Sequence, residues 1–243
     1  MRIIQITDLH LGRSGVKPYD IDVRHNFQQI LTATKAAQPD LLLISGDLCL
    51  EVGEREIYEY IKEQLEATAL PYALLAGNHD DGDLLMDVFG LERGPDGKHL
   101  YYSIDQAPLP VYCLDTARYE ISQSQLEWLS ARLRTRARQP IVVFVHHPPV
   151  LMGVPFMDRQ YPLRNHAELS AVLHAHDAPC YVFCGHYHVD KSLHQGNLQV
   201  FVTPSCFFQI DWREENFAVA HRRIAYRDIL LRKEGVVQGL VWV

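Results

Sequence analysis

The sequence predicts an α/β fold, in the α+β sense: a four-layer sandwich of two mixed β-sheets packed face to face, with helices on both outer faces. Three observations predict it. Short apolar runs alternate with helical patterns through the first third of the chain, the rhythm of βαβ units. An antiparallel strand pair interrupts that rhythm in the middle. Strand patterns then dominate beyond residue 198.

Each element follows from its residues. Ile3 to Ile6 reads as a buried strand, followed by a loop through Pro18. Residues Arg24 to Ala37 place Phe27, Ile30, Leu31 and Thr34 at helical spacing. Leu41 to Ser45 is a second strand. Glu54 to Ala67 is a second helix, with Ile57, Ile61 and Leu65 on one face. Tyr72 to Ala76 is a third strand. Tyr101 to Ile104 and Val111 to Leu114 form the antiparallel pair, separated by the turn-forming Ala107-Pro108-Leu109-Pro110. Ser122 and Gln125 open the next helix as a capping box, and Leu126, Leu129 and Leu133 form its stripe. Ile141 to Val145 is a strand of mostly β-branched residues. Asn165 caps a helix carrying Leu169, Val172 and Leu173, and Tyr181 to Cys184 is the next strand. Leu198 to Thr203, Phe217 to Ala220, Ile224 to Leu231 and Val236 to Trp242 complete the set.

The 243 residues suffice for one large domain, expected to span 1–243, and do not require two. The net charge is −7, with no basic stripe, so no nucleic-acid partner is expected. No apolar run approaches a membrane span and no signal-peptide pattern opens the chain, which makes the cytoplasm the expected location. Five cysteines without CxxC spacing read as buried free thiols in a reducing compartment.

Five short motifs each follow a predicted strand: Asp8-Leu9-His10, Gly46-Asp47, Gly77-Asn78-His79-Asp80, His146-His147-Pro148 and Gly185-His186-Tyr187-His188. If the strands share a sheet, these clusters converge on the crevice at its strand ends, where ligands bind in open α/β sheets. Carboxylates, imidazoles and an amide oxygen are donors for Zn, Mn or Fe. One metal needs about four protein ligands, so seven candidates (Asp8, His10, Asp47, Asn78, His146, His186 and His188) imply two ions. Two cations repel unless an anion lies between them, and Asp47 is the natural bridge.

The order and spacing of these motifs resemble the calcineurin-like metallophosphoesterase superfamily, over roughly residues 1 to 220. The details are most similar to its bacterial cyclic-AMP phosphodiesterase and glycerophosphodiesterase group. ITDLHLG at 6–12, SGDL at 45–48, GNHD at 77–80, VHHPP at 145–149, MD at 157–158, LRN at 163–165, CGHYH at 184–188 and TPSC at 203–206 carry the likeness. The resemblance implies that Asp8, His10 and His188 hold one ion, that Asn78, His146 and His186 hold the other, and that Asp47 bridges them. The metals would be divalent or trivalent Mn, Fe, Zn or Co. The family's His-x-Pro pattern favours His146 over the adjacent His147. His79 would contact the phosphate and act as acid, with Asp80 as its orienter.

The expected function is therefore hydrolysis of a small phosphodiester, a cyclic nucleotide or a glycerophosphodiester, by direct attack of a metal-bridging hydroxide. Phosphomonoesterase, protein phosphatase and nuclease activities on the same fold are the alternatives, and a non-catalytic scaffold is a further one. Retention of His79 argues against the scaffold. Tyr187 either lines the pocket or packs on the opposite face. Asp158, Arg164 and Asn165 lie in or after a long loop that could wall the pocket or form a homodimer contact, with Leu151 to Met157 as an exposed apolar stretch.

Overall fold

The computed structural model describes residues 1–136 and 138–243. Strands β1 (Arg2–Ile6), β2 (Leu41–Ser45) and β3 (Tyr72–Leu75) alternate with helices α1 (Val23–Ala37) and α2 (Arg55–Thr68), and α3 (Gly82–Phe89) follows. Next come β4 (Tyr102–Ile104), β5 (Val111–Leu114), α4 (Gln123–Arg134), β6 (Ile141–Val145), α5 (Pro155–Gln160), α6 (His166–His174) and β7 (Cys180–Cys184). The remainder is β8 (Lys191–Gln195), β9 (Leu198–Val202), β10 (Gln209–Ile210), β11 (Val219–His221), β12 (Ala225–Arg232) and β13 (Gly235–Trp242).

Two mixed sheets form, as expected. The first has the order β13-β12-β1-β2-β3 and the second β4-β5-β6-β7-β9-β8, with β10 and β11 as a separate small pair. β1, β2 and β3 run parallel, and so do β5, β6, β7 and β9. Antiparallel strands close three of the four edges: β13 on β12, β4 on β5 and β8 on β9.

Strand alternation sorts the side chains into layers. Ile3, Leu43, Val142 and Phe144 belong to the cluster between the sheets. Ile4, Leu42, Ile44 and Val143 join the cluster formed with the helices, which includes Phe27, Ile61, Leu129 and Leu169. Phe144, Phe183 and Phe201 stack across β6, β7 and β9 with centroids 5.4 and 5.3 Å apart. Fully burying a ring of this size contributes roughly 1.5–3 kcal/mol. One polar network bridges the same layer. Gln5 donates to Ser45 and accepts from Thr203, which in turn accepts from the buried Arg227.

Several expectations change. Between the strands expected at Tyr72–Ala76 and Tyr101–Ile104 no element was read, but Asp81 accepts from Leu84 N and caps α3, which buries Leu85, Met86, Val88 and Phe89. The stretch after His147 is not all loop, because α5 forms within it and Asp158 lies inside α5. Its apolar residues are mostly covered: Met152, Val154 and Met157 are buried, and only Leu151 is exposed. Gln125 does not complete a capping box. Ser122 accepts from Gln125 N, but the Gln125 amide bonds the Asp115 backbone instead. All five cysteines are free and buried. Among the described residues no helix is long and apolar enough to cross a membrane.

Candidate metal centre

The five motifs converge, but from two sheets rather than one. The ends of β1, β2 and β3 bring Asp8, His10, Asp47 and Asn78, and the ends of β6 and β7 bring His146, His186 and His188. Cross-sheet bonds lock the tips together. His146 Nδ1 reaches the carbonyl of Ser45 at 2.7 Å, His186 N donates to Asp8 at 3.0 Å, and Cys206 N donates to the carbonyl of Thr7 at 3.1 Å.

The backbone at these tips is unusual. Asp8, His10, Asp47, His186 and His188 all sit at positive φ, between 45° and 65°. L-residues avoid this region at roughly 1–2 kcal/mol each. The turn is what lets Asp8 and His10 aim at one point while Leu9 between them points into the core, and Tyr187 lies buried between His186 and His188 in the same way. Two glycines allow the tips to approach so closely. A Cβ on Gly46 would lie 2.4 Å from His146 Nδ1, and one on Gly185 would lie 2.1 Å from Thr7 Oγ1 and 2.6 Å from Asp8 Oδ2.

Three imidazoles each spend one ring nitrogen on a main-chain carbonyl: His146 Nδ1 on Ser45, His186 Nε2 on Tyr161 and His188 Nδ1 on Phe208. A carbonyl can only accept, so that nitrogen carries the proton and the other faces the crevice. Metal-ligating histidines are fixed in the same way. Asn78 Oδ1 and His146 Nε2 are buried without a hydrogen-bond partner. His146 Nε2 does lie 3.3 Å from Asp47 Oδ2, but outside hydrogen-bond geometry. Asp8, His10 and His188 present donor atoms within 4.8 Å of one another. So do Asp8, Asp47 and His146; His10, Asp47 and His79; and His146, His147 and His186. Asp47 thus belongs to groups on both sides. Donor chemistry, orphaned atoms and spacing fit metal ions.

The electrostatics fit too. Burial pushes Asp47 and Asp8 up, but neighbouring imidazoles win. His146 and His10 hold Asp47 well below the usual carboxylate range, and His188 and His146 hold Asp8 low. Burial pushes His146 down, but Asp47 overrides it and raises the ring to about 9. Burial lowers His10 to about 4 and His186 to about 3. The site without metal keeps a proton on His146 beside its carboxylates.

Other expected residues divide. His79 is at the cavity, its Nδ1 3.2 Å from the carbonyl of Glu51. Asp80 does not orient it. The Asp80 carboxylate instead accepts from Leu48 N, Cys49 N, Gly77 N and the Tyr58 hydroxyl, tying the ends of β2 and β3 together. His147 is fully buried, its Nδ1 2.9 Å from Thr116 Oγ1 and its ring centroid 4.1 Å from that of His186. Asp158 accepts from Met152 N and Val154 N. Asn165 does not cap α6 with its side chain, which pairs with both backbone groups of Ile121. Arg164 bonds the carbonyls of Arg118 and Tyr119. These three side chains hold loops and do not line the cavity.

That cavity measures 740 Å³ and opens over His10, Asp47, Asn78, His79, His186 and His188. Its other wall is aromatic, contributed by Tyr19, Phe207, Phe208 and Phe217 among others. Sequence reading missed this wall because these rings lie in loops and a single helical turn, too short to show periodicity.

Paired donor clusters sharing one acid, at the lip of a two-sheet sandwich, mark a metal-dependent phosphoester hydrolase. The chain belongs to the calcineurin-like phosphoesterase family, whose model matches residues 1–190. A probable cyclic nucleotide phosphodiesterase from Fibrobacter succinogenes is 33 % identical over 211 residues, covering 87 % of this chain and 82 % of that protein. The 3′,5′-cyclic adenosine monophosphate phosphodiesterase CpdA of Escherichia coli K12 is 26 % identical, covering 98 % and 87 %. A dimetal phosphatase from Danio rerio shares the fold with a TM-score of 0.69 at 14 % identity, covering 98 % of each chain.

Proposed function

We propose that the protein hydrolyses a small phosphodiester with two metal ions. Asp8, His10 and His188 would hold one ion and Asn78, His146 and His186 the other, with Asp47 as the acid placed to serve both. The observation that carries this reading is the trio of imidazoles, each fixed by a backbone carbonyl with its second nitrogen facing the crevice. Bound ions would neutralise the phosphate and activate water near neutral pH. The oxygen- and nitrogen-rich donor set suits Mn, Fe, Zn or Co.

The chain's own residues do the rest. No serine, threonine or cysteine lines the cavity among the described residues, which favours attack by water over attack by a hydroxyl or thiol of those types. His79 Nδ1 donates to the Glu51 carbonyl, so in the imidazolium form Nε2–H is the proton offered to the departing oxygen, and the ring is left neutral. No lysine or arginine lines the cavity either, so the protein adds little cationic help for a dianionic monoester or a polyphosphate. A singly charged diester is the better match, and the names of the relatives point the same way. Five buried free thiols support a reducing compartment, the cytoplasm.

The test is a Mn²⁺-reconstituted preparation assayed on bis(p-nitrophenyl) phosphate and on p-nitrophenyl phosphate, alongside metal analysis. The expected result is two ions per chain and a higher kcat/KM on the diester. Turnover of the monoester alone would transfer the assignment to a phosphatase.

A further inference from the structure

The cavity has a polar side, where the metal-ligand candidates lie, and an aromatic side that the hydrolytic chemistry leaves unused. On the aromatic side the centroid of Tyr19 lies 5.2 Å from Phe208, 5.9 Å from Phe207 and 6.1 Å from Phe217. Phe208 and Phe217 are 5.7 Å apart, and Phe156 continues the row 5.7 Å beyond Phe217. The row begins at the polar site itself, with Phe207 at 5.4 Å from His10 and Phe208 at 5.1 Å from His188.

Folding does not account for the outer members of this row. Phe207 and Phe208 are buried, but Tyr19 is 56 % exposed and Phe217 42 % exposed. The rings come from four separate places: the single-turn helix Pro18–Asp20, helix α5, the loop before β10 and the loop before β11. Tyr19 is also held at φ 53°, so its ring is presented from a backbone conformation that L-residues rarely adopt.

We propose that this wall is the subsite for the organic part of the substrate, and that it takes a flat aromatic ring of the nucleobase type. The inference rests on the phosphodiesterase reading and adds to it which diesters are preferred. A flat ring gains from edge-on or offset contact with Tyr19 and Phe217 without needing any particular hydrogen bond. Within the row itself a glycerol-type group would find only the Tyr19 hydroxyl as a partner for its hydroxyls, the other polar groups of the cavity being those of Glu51, His79, Tyr119, Tyr161 and the metal-ligand candidates. A quaternary ammonium head would need rings around an open centre within about 6 Å of each. Here the rings already touch one another, so no such centre exists.

The experiment compares kcat/KM for 3′,5′-cyclic AMP and for glycerophosphocholine on the Mn²⁺-loaded protein, for wild type, Tyr19→Ala, Phe217→Ala and Tyr19→Phe. The ratio of the two should fall on the order of tenfold in each alanine variant, through KM for the cyclic nucleotide, and recover in Tyr19→Phe. A second readout is independent of turnover. Adenosine should bind the wild type with upfield ring-current shifts of its base protons, and the alanine variants should weaken that binding. An unchanged ratio, or an equal loss on both substrates, overturns the proposal, and so does a wild type that prefers glycerophosphocholine. If the wild type cleaves no diester at all, the phosphodiesterase reading fails, and the adenosine shifts still decide what the wall binds.

Discussion

His10 and His188 face each other with their Nε2 atoms 3.0 Å apart. His188 Nδ1 sits on the Phe208 carbonyl at 3.1 Å, so its Nε2 carries a lone pair when the ring is neutral. Asp8 Oδ1 lies 3.4 Å from the same nitrogen. One shared proton satisfies two of these three acceptors at best, whereas one cation satisfies all of them. Binding at a thousand times Kd stabilises by about 4 kcal/mol. For a chain of this size each kcal/mol moves Tm by roughly 2–4 °C. Chelation should therefore lower Tm by roughly 10 °C in scanning calorimetry, and Mn²⁺ should restore it. An unmoved Tm would remove the metal reading.

Much of this arrangement was legible in the sequence. Each candidate ligand follows an apolar run that could only be a buried strand, and Asp, His and Asn at such a place have little structural reason to recur. The left-handed backbone at Asp8, His10, Asp47, His186 and His188 was not legible, because Asp and His tolerate that region better than most L-residues but nothing in the local sequence requires it. It is imposed by the meeting of two sheets, which is a tertiary effect. Asp80 was misread because adjacency to His79 in the chain suggested adjacency in space, while its carboxylate points back to the β2 end. β8 escaped because KSLHQ is mostly polar, as an edge strand can be.

Asp80 yields a stability prediction. Truncation in Asp80→Ala leaves three backbone N–H groups and the Tyr58 hydroxyl without their acceptor. Unsatisfied buried groups cost about 1–3 kcal/mol each, reduced where water enters. Urea unfolding should show a loss of about 3 kcal/mol, and metal content should fall because the Asp47 and Asn78 turns loosen. Full stability and metal content with only kcat reduced would return Asp80 to the role of orienting His79.

Metal binding should release a proton from His146. Burial alone would lower this ring, but Asp47 raises it to about 9, while burial leaves His10 at about 4 and His186 at about 3. At pH 7 only the first must lose a proton to become a ligand. In the metal-free protein a raised imidazole stabilises fully below its unfolded value near 6.5, and that stability is lost as pH rises through about 9. Asp47, held low, adds stability above its unfolded value near 3.8, which is lost as pH falls. Apparent metal affinity should accordingly rise from pH 6 to 9. Calorimetric titration in buffers of different ionisation enthalpy should report the released proton at pH 7, and His146→Gln should abolish that release. A binding heat independent of buffer contradicts the assignment.

His79 separates proton delivery from metal binding. Its Nδ1 is engaged by the Glu51 carbonyl, and its backbone N–H donates to Asp47 Oδ1 at 2.8 Å. The backbone bond survives in His79→Ala, so the carboxylate keeps its support and the metal content should be unchanged. Loss of a general acid typically reduces rate by about 10²–10⁴-fold. The size of the loss should depend on the leaving group. An alkoxide needs the proton and should show the full deficit, whereas p-nitrophenolate departs without it and should show much less. Measured kcat on a dialkyl or cyclic diester against bis(p-nitrophenyl) phosphate gives the comparison. Equal deficits on both would mean that His79 holds the phosphate rather than protonating the departing oxygen.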